Sequence, residues 1–548
     1  MERRVMKKRL FVFGLPVVAL VIFTSASERY FEIARNLDIF ATLFKEVNAT
    51  YVDEVNPNTL IKTGIDAMLE SLDPYTNYIP EEMVEDYRTL NTGQYGGIGA
   101  YTRTIGNRTV VTMVLNGYAA QRSGLKIGDE VLKIDNKDLS TLDAEEEGHL
   151  MKGQVGTPVS LTIKRMGSDK PIKLEFKREK IKISNVPYFG LLENKIGYVQ
   201  LLEFTPDAGK EVRNAVVSLK EKGATSIVLD LRNNPGGLLD EAVNVCNVFI
   251  PKGKLVVTTK GKIEHQDFAT NFAPIDTEIP VAVLINRGSA SASEIVAGTL
   301  QDYDRAVIVG EKSFGKGLVQ VSRQLTYKAQ LKVTTAKYYT PTGRCIQVLD
   351  YSHRREDGSV LSVPDSLKRP FKTTAGRTVY DGGGIDPDIK LQPDEAHPLT
   401  QKLFQDGFIF DYATLYQHNH ATIAEPRNFS LTNEEYQQFV NWMKGKNYTY
   451  TSNLDLQLKQ LIEEAEAEHY YNDLKPNIDQ IRARIAENKK NELTLYKDQI
   501  KKLLEEDIMS RYYLEEGPVQ VGFKYDQELK KASDILLNQP GYARLLKP

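Results

Sequence analysis

Two stretches decide the fold of this chain, and they read Gly288-Ser289-Ala290-Ser291-Ala292-Ser293-Glu294-Ile295 and Lys312-Ser313-Phe314-Gly315-Lys316-Gly317. The first places serines on a small-residue turn that leads into a predicted helix, and the second places a lysine between glycines. A serine hydroxyl needs a base within hydrogen-bond reach to act as a nucleophile. Lysine can be that base when burial lowers its pKa from about 10.4 toward neutrality. Together the stretches predict a nucleophile and a base, whereas singly each is more typical of a helix start or a surface turn.

Length and composition limit the class of protein. At 548 residues the chain is too long for one core and is predicted to contain three or four domains. Its 70 lysines and arginines nearly balance its 73 aspartates and glutamates, so no overall charge directs it to nucleic acid or to an anionic membrane. No group of histidine, cysteine and aspartate has metal-ligand spacing. We therefore expect no cofactor, no metal and no nucleic-acid partner.

The N-terminus has the design of an export signal. Basic residues between positions 3 and 9 precede an apolar run over residues 10–23 and the small residues Thr24-Ser25-Ala26-Ser27. The run is shorter than the roughly 20 residues that span a membrane, which favours cleavage after Ala26; an uncleaved membrane anchor is the alternative. Residues 1–27 therefore predict an exported protein, periplasmic or attached to the outer face of the inner membrane. Whether the two cysteines, Cys246 and Cys345, form a disulfide is left open.

Hydrophobic patterning divides the remaining chain into four parts. Residues 28–94 are predicted to be helical with a break at Pro74, residues 95–179 to form a compact module of short strands, residues 180–397 to alternate strands and helices, and residues 398–548 to be helical. The alternation in the third part is typical of an α/β domain. Its predicted strands are 196–204, 226–231, 281–285 and 306–309, and its predicted helices are 208–222, 237–248 and 293–301.

The last part, residues 398–548, carries apolar stripes at helical spacing. Leu454 and Leu461 belong to one stripe, and Leu493 and Leu504 belong to another. These stripes favour packed, core-facing helices over a coiled coil, because the heptad is interrupted at Pro476. Whether the helices pack on the core, form a homodimer or recruit an adaptor is left open.

Seven motifs occur in the order typical of the carboxyl-terminal processing peptidases, also called tail-specific proteases. Besides the two opening stretches they are Ser71-Leu72-Asp73-Pro74-Tyr75-Thr76, Gly124-Leu125-Lys126-Ile127-Gly128-Asp129, Asp230-Leu231-Arg232-Asn233-Asn234-Pro235-Gly236-Gly237-Leu238, Tyr339-Thr340-Pro341-Thr342-Gly343-Arg344 and Gly382-Gly383-Gly384-Ile385-Asp386-Pro387-Asp388. Over residues 35–390 the chain therefore resembles this family. The resemblance implies a multidomain α/β fold with a crotonase- or Clp-protease-like core of ββα units, a PDZ domain, and helical N- and C-terminal segments.

Carried over residue by residue, the resemblance implies a catalytic site. The nucleophile falls on Ser291 rather than on Ser289 or Ser293, the general base falls on Lys316, and the glutamine that orients the lysine falls on Gln320. A Ser-Lys enzyme of the penicillin-interactive type is excluded by spacing, because its serine and lysine are three residues apart and these two are 25 positions apart.

The resemblance also implies an oxyanion hole. It falls on the backbone N–H of Ala292 and on that of Gly237 or Gly236, where the missing Cβ allows close approach to a substrate carbonyl. Glu294 is expected on the same helix face as Ser291. Two roles are open for it, complementing the helix dipole and supporting catalysis.

The module that begins with Gly96-Gly97-Ile98-Gly99 resembles a PDZ domain. Such domains bind an extended chain end by adding it to their sheet as a strand, and a glycine-rich loop supplies N–H groups for the terminal carboxylate. The chain departs from the family before the short helix, where Tyr118-Ala119-Ala120 replaces Ser-Pro-Ala, and Ser123 replaces a small alanine. The resemblance implies that a chain end is captured before the chain is cut.

The resemblance thus implies an exported serine endopeptidase with a Ser-Lys dyad that cleaves proteins at or near accessible C-termini. The alternative is a catalytically silent, PDZ-containing binding scaffold with a peptidase-like fold. Such a scaffold would be expected to have lost the serine or the lysine, and both Ser291 and Lys316 are present. By analogy, the PDZ domain is expected to move between shielding and opening the active site.

Overall fold

A computed structural model describes residues 30–142, 144–355, 359–392 and 395–547, and these form two compact units. The predicted signal or anchor over residues 1–27 lies outside the described residues. The first unit combines the described chain up to Glu81 with residues 320–334, and the second contains the rest. Within the described ranges, no helix combines the length and the apolar character needed to cross a bilayer.

The first unit contains helices over residues 30–50 and Pro57–Glu70 and a strand, Asn77–Ile79, that pairs antiparallel with residues 330–332. The predicted break after the second helix is a turn closed by Asp73, whose carboxylate accepts the backbone N–H groups of Tyr75 and Thr76 at 2.8 Å each. The contribution of residues 320–334 to this unit was not predicted from the sequence. Helical structure resumes in the second unit with Val84–Thr92.

The β-rich module is an antiparallel sheet with two helices. Its five main strands, in spatial order, are Ala100–Ile105, Arg108–Val114, Glu130–Ile134, Pro158–Lys164 and Ile172–Lys177, its helices are Ala119–Arg122 and Ala144–Met151, and the short strand Lys137–Asp138 pairs with the third strand. Val111, Leu161 and Ile163 are fully buried at its centre. Complete burial of such a side chain contributes about 1.5–3 kcal/mol, so the module has a core of its own.

The chain enters and leaves this module through a two-stranded neck. The neck consists of Gln94–Gly97 paired antiparallel with Glu179–Lys182. At the opposite end, Arg108 forms an ion pair with Asp411 at 2.9 Å, and Phe410 joins the core of the module. The module is therefore held at both ends, by the neck and by a helix of the last part of the chain.

The α/β part is built on a six-stranded sheet. Its strands, in spatial order, are Tyr188–Leu191, Ile196–Gln200, Ser226–Asp230, Val281–Ile285, Val307–Gly310 and Ile389–Lys390. The first pair is antiparallel and the other pairs are parallel. Helices Ala208–Glu221, Leu239–Phe249 and Ala292–Asp302 pack on one face of this sheet, and Gln527–Leu537 and Gln539–Leu545 pack on the other. Because both faces are covered, the middle residues of the central strands are apolar and buried.

The observed strands and helices of this part agree with the predicted ones to within a few residues, except for the strand predicted over 196–204. That strand ends at Gln200, because the chain leaves the sheet there and Phe204 forms a bridge with Gly237.

A second sheet contains Leu255–Gly261, His265–Ala269 and residues 336–339. Cys246 and Cys345 are unpaired.

The remaining strands of the structure are short or shared. Strand Gln330–Tyr339 contributes residues 330–332 to the first unit and residues 336–339 to the second. The other strands are Leu318–Gln324, Leu349–Arg354, Val360–Ser362, Pro370–Lys372 and Thr378–Tyr380.

The last part of the chain is helical, as predicted. Its helices are Pro398–Gln405, Phe408–Asn419, Asn433–Trp442, Asn453–Ala467, Tyr471–Lys490, Glu492–Leu495, Lys497–Tyr513, Glu516–Gly522, Gln527–Leu537 and Gln539–Leu545. The second predicted stripe is buried at Leu493 and Leu504. The first is buried at Leu458 and Ala465, whereas its members Leu454 and Leu461 stay 53% and 43% exposed. Pro476 lies inside the fifth of these helices without ending it. A homodimer or adaptor contact through residues 398–548 stays a prediction.

Candidate active site

The predicted site lies beyond the carboxyl ends of three parallel strands of the six-stranded sheet. Strands Ser226–Asp230, Val281–Ile285 and Val307–Gly310 run in the same direction, so the loops that follow them meet at one edge. Open α/β sheets bind ligands at this edge. The first loop carries residues 233–237, which we call the oxyanion turn. The second carries the serine stretch, and the third carries the lysine stretch.

Ser291 occupies a strained turn directly before the helix Ala292–Asp302. Its φ of +54° and ψ of −112° are unusual for a residue with a side chain. Its side chain is half-buried. The position at a helix N-terminus favours negative charge that develops next to it.

The neighbouring serines have structural roles. Ser289 and Ser293 are fully buried, and their hydroxyls donate to the carbonyl of Leu231 at 2.7 Å and to that of Asn234 at 2.9 Å. A hydroxyl that is buried and already bonded cannot reach a substrate. Of the three serines in the stretch, Ser291 is therefore the one that remains accessible.

Glu294 joins the serine loop to the lysine loop. Its Oε2 accepts the backbone N–H groups of Ser291 at 2.8 Å and Lys316 at 2.9 Å. Its Oε1 accepts the hydroxyl of Ser313 at 2.6 Å and the N–H of Gly315 at 2.7 Å. The carboxylate thus fixes the backbone of both predicted catalytic residues. The contacts fit both roles left open by the sequence: the bond from the Ser291 N–H is that of a helix capping box, and the other three bonds hold the lysine loop.

Burial raises the pKa of Glu294 to about 7, and its four hydrogen-bond donors oppose that rise. The side chain is 1% exposed. Three of the donors are backbone N–H groups, which cannot turn away or accept a proton. The ionised carboxylate is consequently the form that satisfies every group around it.

Tyr338 adds a second link between the same two loops. Its hydroxyl lies within hydrogen-bond distance of the carbonyl oxygen of Ser291, at 3.2 Å, and of that of Lys316. The side chain is 1% exposed. This residue was not predicted from the sequence, although it directly precedes the motif that starts at Tyr339. Alternation along that strand would have placed it on the buried face, but its partners could not be identified.

The oxyanion turn approaches Ser291 closely. A Cβ added to Gly236 would lie 2.8 Å from the Ser291 Cβ and 2.8 Å from the Ala292 nitrogen, and the φ of Gly236 is +99°. Glycine is therefore required at this position. The N–H of Gly236 donates to Asn234 Oδ1 at 2.9 Å, so it is not available to a substrate. Within the described part of the chain, the N–H groups of Gly237 and Ala292 have no acceptor. Of the alternatives left open, this geometry favours Gly237.

Asn234 holds the oxyanion turn against the serine stretch. Its carbonyl accepts the N–H of Ala290 at 3.0 Å and the hydroxyl of Ser293 at 2.9 Å, and its side-chain amide donates to the carbonyl of Leu201 at 2.8 Å. Asn234 is fully buried, so each of these bonds is protected from water. The turn and the serine stretch therefore form one rigid body.

The predicted orienting glutamine, Gln320, belongs to the first unit. Its side-chain amide donates to the hydroxyl of Thr334 at 3.2 Å, and the N–H of Thr334 donates to Thr76. These contacts connect the hairpin of the first unit to the turn at residues 73–76. The role of Gln320 toward Lys316 stays a prediction.

The predicted carboxylate-binding loop of the β-rich module is Gly96-Gly97-Ile98-Gly99. The carbonyl of Gly96 accepts the N–H of Gly153 at 3.0 Å, and the carbonyls of Ile98 and Gly99 accept N–H groups at 2.8 and 2.9 Å. Gly99 has a φ of +79°. Among the described residues, the N–H groups of Ile98 and Gly99 have no backbone acceptor. The loop is held by its carbonyls and leaves these N–H groups available for a ligand.

Two other family motifs have architectural roles. Arg344 is buried and forms an ion pair with Asp302 at 2.8 Å, at the end of the helix that starts after Ser291. Asp388 forms an ion pair with Arg377 at 2.6 Å and accepts the N–H of Ile308.

Across the described ranges, no three His, Cys, Asp or Glu side chains lie close enough together to hold a metal ion.

Three parts of the chain match known families. Residues 195–353 match peptidase family S41, residues 96–176 match the PDZ domain, and residues 399–536 match "Probable PDZ-protease, C-terminal helical domain". The chain is 39% identical over 341 residues to the carboxy-terminal-processing protease of Bartonella bacilliformis, with 61% of this chain and 77% of that protein covered. It belongs to the carboxy-terminal-processing proteases of peptidase family S41. The protease is therefore a serine-type peptidase, a hydrolase that acts on peptide substrates.

The chain is also similar to a second curated relative and to a solved structure. The protease is 37% identical over 381 residues to the "Probable CtpA-like serine protease" of Staphylococcus aureus, with 69% of this chain and 75% of that protein covered. The solved structure of the photosystem II D1 C-terminal processing protease is 25% identical, has a TM-score of 0.35, and is matched over 65% of this chain and 92% of that one. The mixed α/β fold with a PDZ domain and a helical C-terminal domain agrees with the sequence prediction, and the scaffold alternative is not favoured.

Proposed function

We propose that the protease is an exported endopeptidase that cleaves proteins at or near their C-termini with a Ser-Lys dyad, Ser291 and Lys316. The observation that carries this proposal is the Glu294 carboxylate, which accepts the backbone N–H groups of both residues on one oxygen. A buried carboxylate with four donors fixes two loops that lie about twenty residues apart in the chain. A binding scaffold would have no need of such an arrangement at an accessible serine.

In the proposed reaction, the Ser291 oxygen attacks the scissile carbonyl and its proton passes to the neutral Lys316 amine. The tetrahedral oxyanion accepts the N–H groups of Gly237 and Ala292, which would stabilise the negative charge as it develops. Lys316 then returns the proton to the leaving amine, and water hydrolyses the acyl-enzyme by the reverse sequence. Gln320 is proposed to orient Lys316.

We assign capture of the substrate to the PDZ loop at residues 96–99. The available N–H groups of Ile98 and Gly99 support binding of a terminal carboxylate, and the strand Ala100–Ile105 offers an edge for the preceding residues. Capture of a chain end would raise the local concentration of the nearby segment at the dyad. This accounts for cleavage near C-termini without a narrow side-chain specificity at the cut itself.

The dyad is tested by Ser291→Ala and Lys316→Ala in the purified protease, with Lys312→Ala as the matched control from the same loop. Cleavage of an unstructured peptide should fall by roughly 10⁴-fold or more in the first two variants and stay within about twofold in the control. A fluorophosphonate probe should label the wild type at Ser291. If Ser291→Ala is folded by circular dichroism and fully active, the nucleophile has been assigned wrongly. A folded and active Lys316→Ala would place the base elsewhere.

Export is proposed from the basic, apolar and small-residue segments of residues 1–27. Fractionation of cells that express the full chain should place it outside the cytoplasm. N-terminal sequencing then separates the two forms: a chain that starts at Ser27 indicates a soluble exported protein, and an intact N-terminus in the membrane fraction indicates an anchor. Recovery of the intact chain from the cytoplasm would refute export.

A further inference from the structure

Arg232 links the oxyanion turn to the C-terminal helical domain. It lies two positions after the strand Ser226–Asp230, and its side chain is 17% exposed. Its guanidinium donates to Asp230 at 2.9 Å, to Asp526 at 2.6 Å and to Glu528 at 2.7 Å. Burial alone would lower the pKa of Arg232, but the carboxylates of Asp230 and Asp526 raise it instead. The charged guanidinium is therefore bound by one carboxylate of the sheet, Asp230, and by two carboxylates of the C-terminal domain, Asp526 and Glu528.

Asp526 and Glu528 are themselves firmly placed. Asp526 caps the helix Gln527–Leu537, and its Oδ1 accepts the N–H of Leu529 at 2.8 Å. Glu528 covers Gly310 at the end of a central strand, where a Cβ would lie 3.2 Å from its Oε1. The helix packs on the sheet through its buried apolar face. Both carboxylates thus have fixed positions before they meet the guanidinium.

The route from Arg232 to the catalytic centre is short. The next residue, Asn233, has a φ of +58°, and its N–H and side chain bond to the Asn286 amide at 2.9 Å each. Gly237, with its available N–H, follows five positions after Arg232. Because these residues lie in one tight turn, a shift of Arg232 would be passed along the backbone to the Gly237 N–H.

The Arg232 side chain borders open space next to the C-terminal domain. Arg232 and Asn233 line a cavity of about 580 Å³ together with Lys502, Glu506 and Phe523. A long side chain next to such a space can adopt other rotamers when its ionic partners are lost. The position of Arg232 therefore depends on its carboxylates.

We propose that Asp526 and Glu528 are positioning residues of the active site, which act through Arg232 on the oxyanion turn. The inference rests on the proposed function and assigns part of the catalytic geometry to the C-terminal helical domain. Its physical basis is that an oxyanion donor stabilises the transition state only at the correct distance. Loss of the two charges should therefore lower kcat and leave KM unchanged.

The experiment compares Asp526→Asn, Glu528→Gln and the double variant with the wild type in the full chain. Asparagine still caps a helix, so Asp526→Asn removes the charge without removing the cap. Asp534→Asn is the control, since Asp534 is an exposed acid on the same helix. Cleavage of fluorescein-labelled casein and the rate of fluorophosphonate labelling at Ser291 are measured together with the melting temperature.

We expect kcat and the labelling rate of the double variant to fall roughly tenfold, a fraction of the 10²–10³-fold lost with a whole oxyanion donor. In an Arg232→Lys background, the same two substitutions should lower kcat by less than about twofold. Asp526 and Glu528 act through the Arg232 guanidinium, which is absent there, so the effects of the substitutions are not additive. The inference is overturned by an unchanged kcat in the double variant, by a rise in KM alone, or by the same tenfold loss in the Arg232→Lys background.

The two proposals fail in different ways. A wild type that neither cleaves casein nor reacts with the probe overturns the proposed function and this inference together. A wild type that is active and loses activity with Ser291→Ala, while the Asp526 and Glu528 variants keep full activity, overturns this inference alone.

Discussion

Replacement of Glu294 by glutamine should damage the active site by a calculable amount. Glutamine keeps one acceptor oxygen, and that oxygen can serve the N–H groups of Ser291 and Lys316. Its amide nitrogen then faces Ser313, whose hydroxyl can turn, and the N–H of Gly315, which cannot. One buried N–H is left without an acceptor, at a cost of about 1–3 kcal/mol. If this cost destabilises the arrangement of the two loops that is active in catalysis, kcat drops by roughly fivefold to 150-fold.

The pH dependence of the same residue has a definite sign. Burial raises the pKa of Glu294 to about 7 from its ordinary 4.5, so the folded protein binds this proton more tightly than the unfolded chain. The free energy of unfolding should therefore fall by about 3 kcal/mol as the pH rises from about 4.5 through about 7. Activity should change in the opposite direction, because only the ionised carboxylate accepts all four donors. Glu294→Gln is neutral at every pH, so it should lose this dependence of the unfolding free energy and the part of the activity profile that Glu294 contributes.

Peptide cleavage and urea unfolding between pH 5 and pH 9 test this reasoning. The control is Glu221→Gln, an exposed glutamate at the end of a helix in the same domain. The control should keep the wild-type profiles. A Glu294→Gln variant with wild-type kcat and an unchanged pH profile would show that the carboxylate does not hold the two loops in their active positions.

Three further predictions concern neighbouring parts of the site. Gly236→Ala places a methyl group 2.8 Å from the Ser291 Cβ, and fluorophosphonate labelling should be lost; labelling at the wild-type rate would contradict the close approach. Tyr338→Phe removes a hydroxyl that bonds to two active-site carbonyls, and should lower the free energy of unfolding in urea by about 1 kcal/mol together with kcat; no change in either would exclude the link. Arg344→Leu leaves Asp302 buried without its partner, so unfolding in urea should require about 3–5 kcal/mol less, and a loss below about 1 kcal/mol would contradict the buried ion pair.

The parts of the fold that sequence predicted well are those set by local patterns. The strand Val281–Ile285 was predicted with its observed bounds, because five apolar residues between turns can be covered on both faces of a parallel sheet. The strand predicted over 196–204 was too long, because the apolar pattern continues past the observed end of the strand at Gln200. Its last residues are apolar enough for a strand, but they leave the sheet to reach Gly237, and only the folded chain specifies that partner.

In the active site, too, residues within continuous motifs could be predicted, whereas contacts between distant parts of the chain could not. Ser291 and Lys316 could be selected from motifs, since each motif is continuous in the chain. The function of Glu294 could not be decided, because three of its four donors come from a loop about twenty residues away. Arg232 was part of a recognised motif, yet its partners Asp526 and Glu528 lie almost 300 positions further on. No periodicity or spacing connects residues across such a distance.

The double attachment of the PDZ domain limits how its binding specificity can be exchanged. A domain joined by the paired neck alone could be replaced as a cassette, with Gln94–Gly97 and Glu179–Lys182 kept as the junction. Here the far end also meets a helix of the C-terminal domain, which inserts Phe410 into the PDZ core. A transplanted PDZ domain must therefore offer a matching hollow for this ring as well as a compatible neck. A chimera designed to match the neck alone would leave the Phe410 side chain exposed, and its PDZ domain would be attached only at the neck.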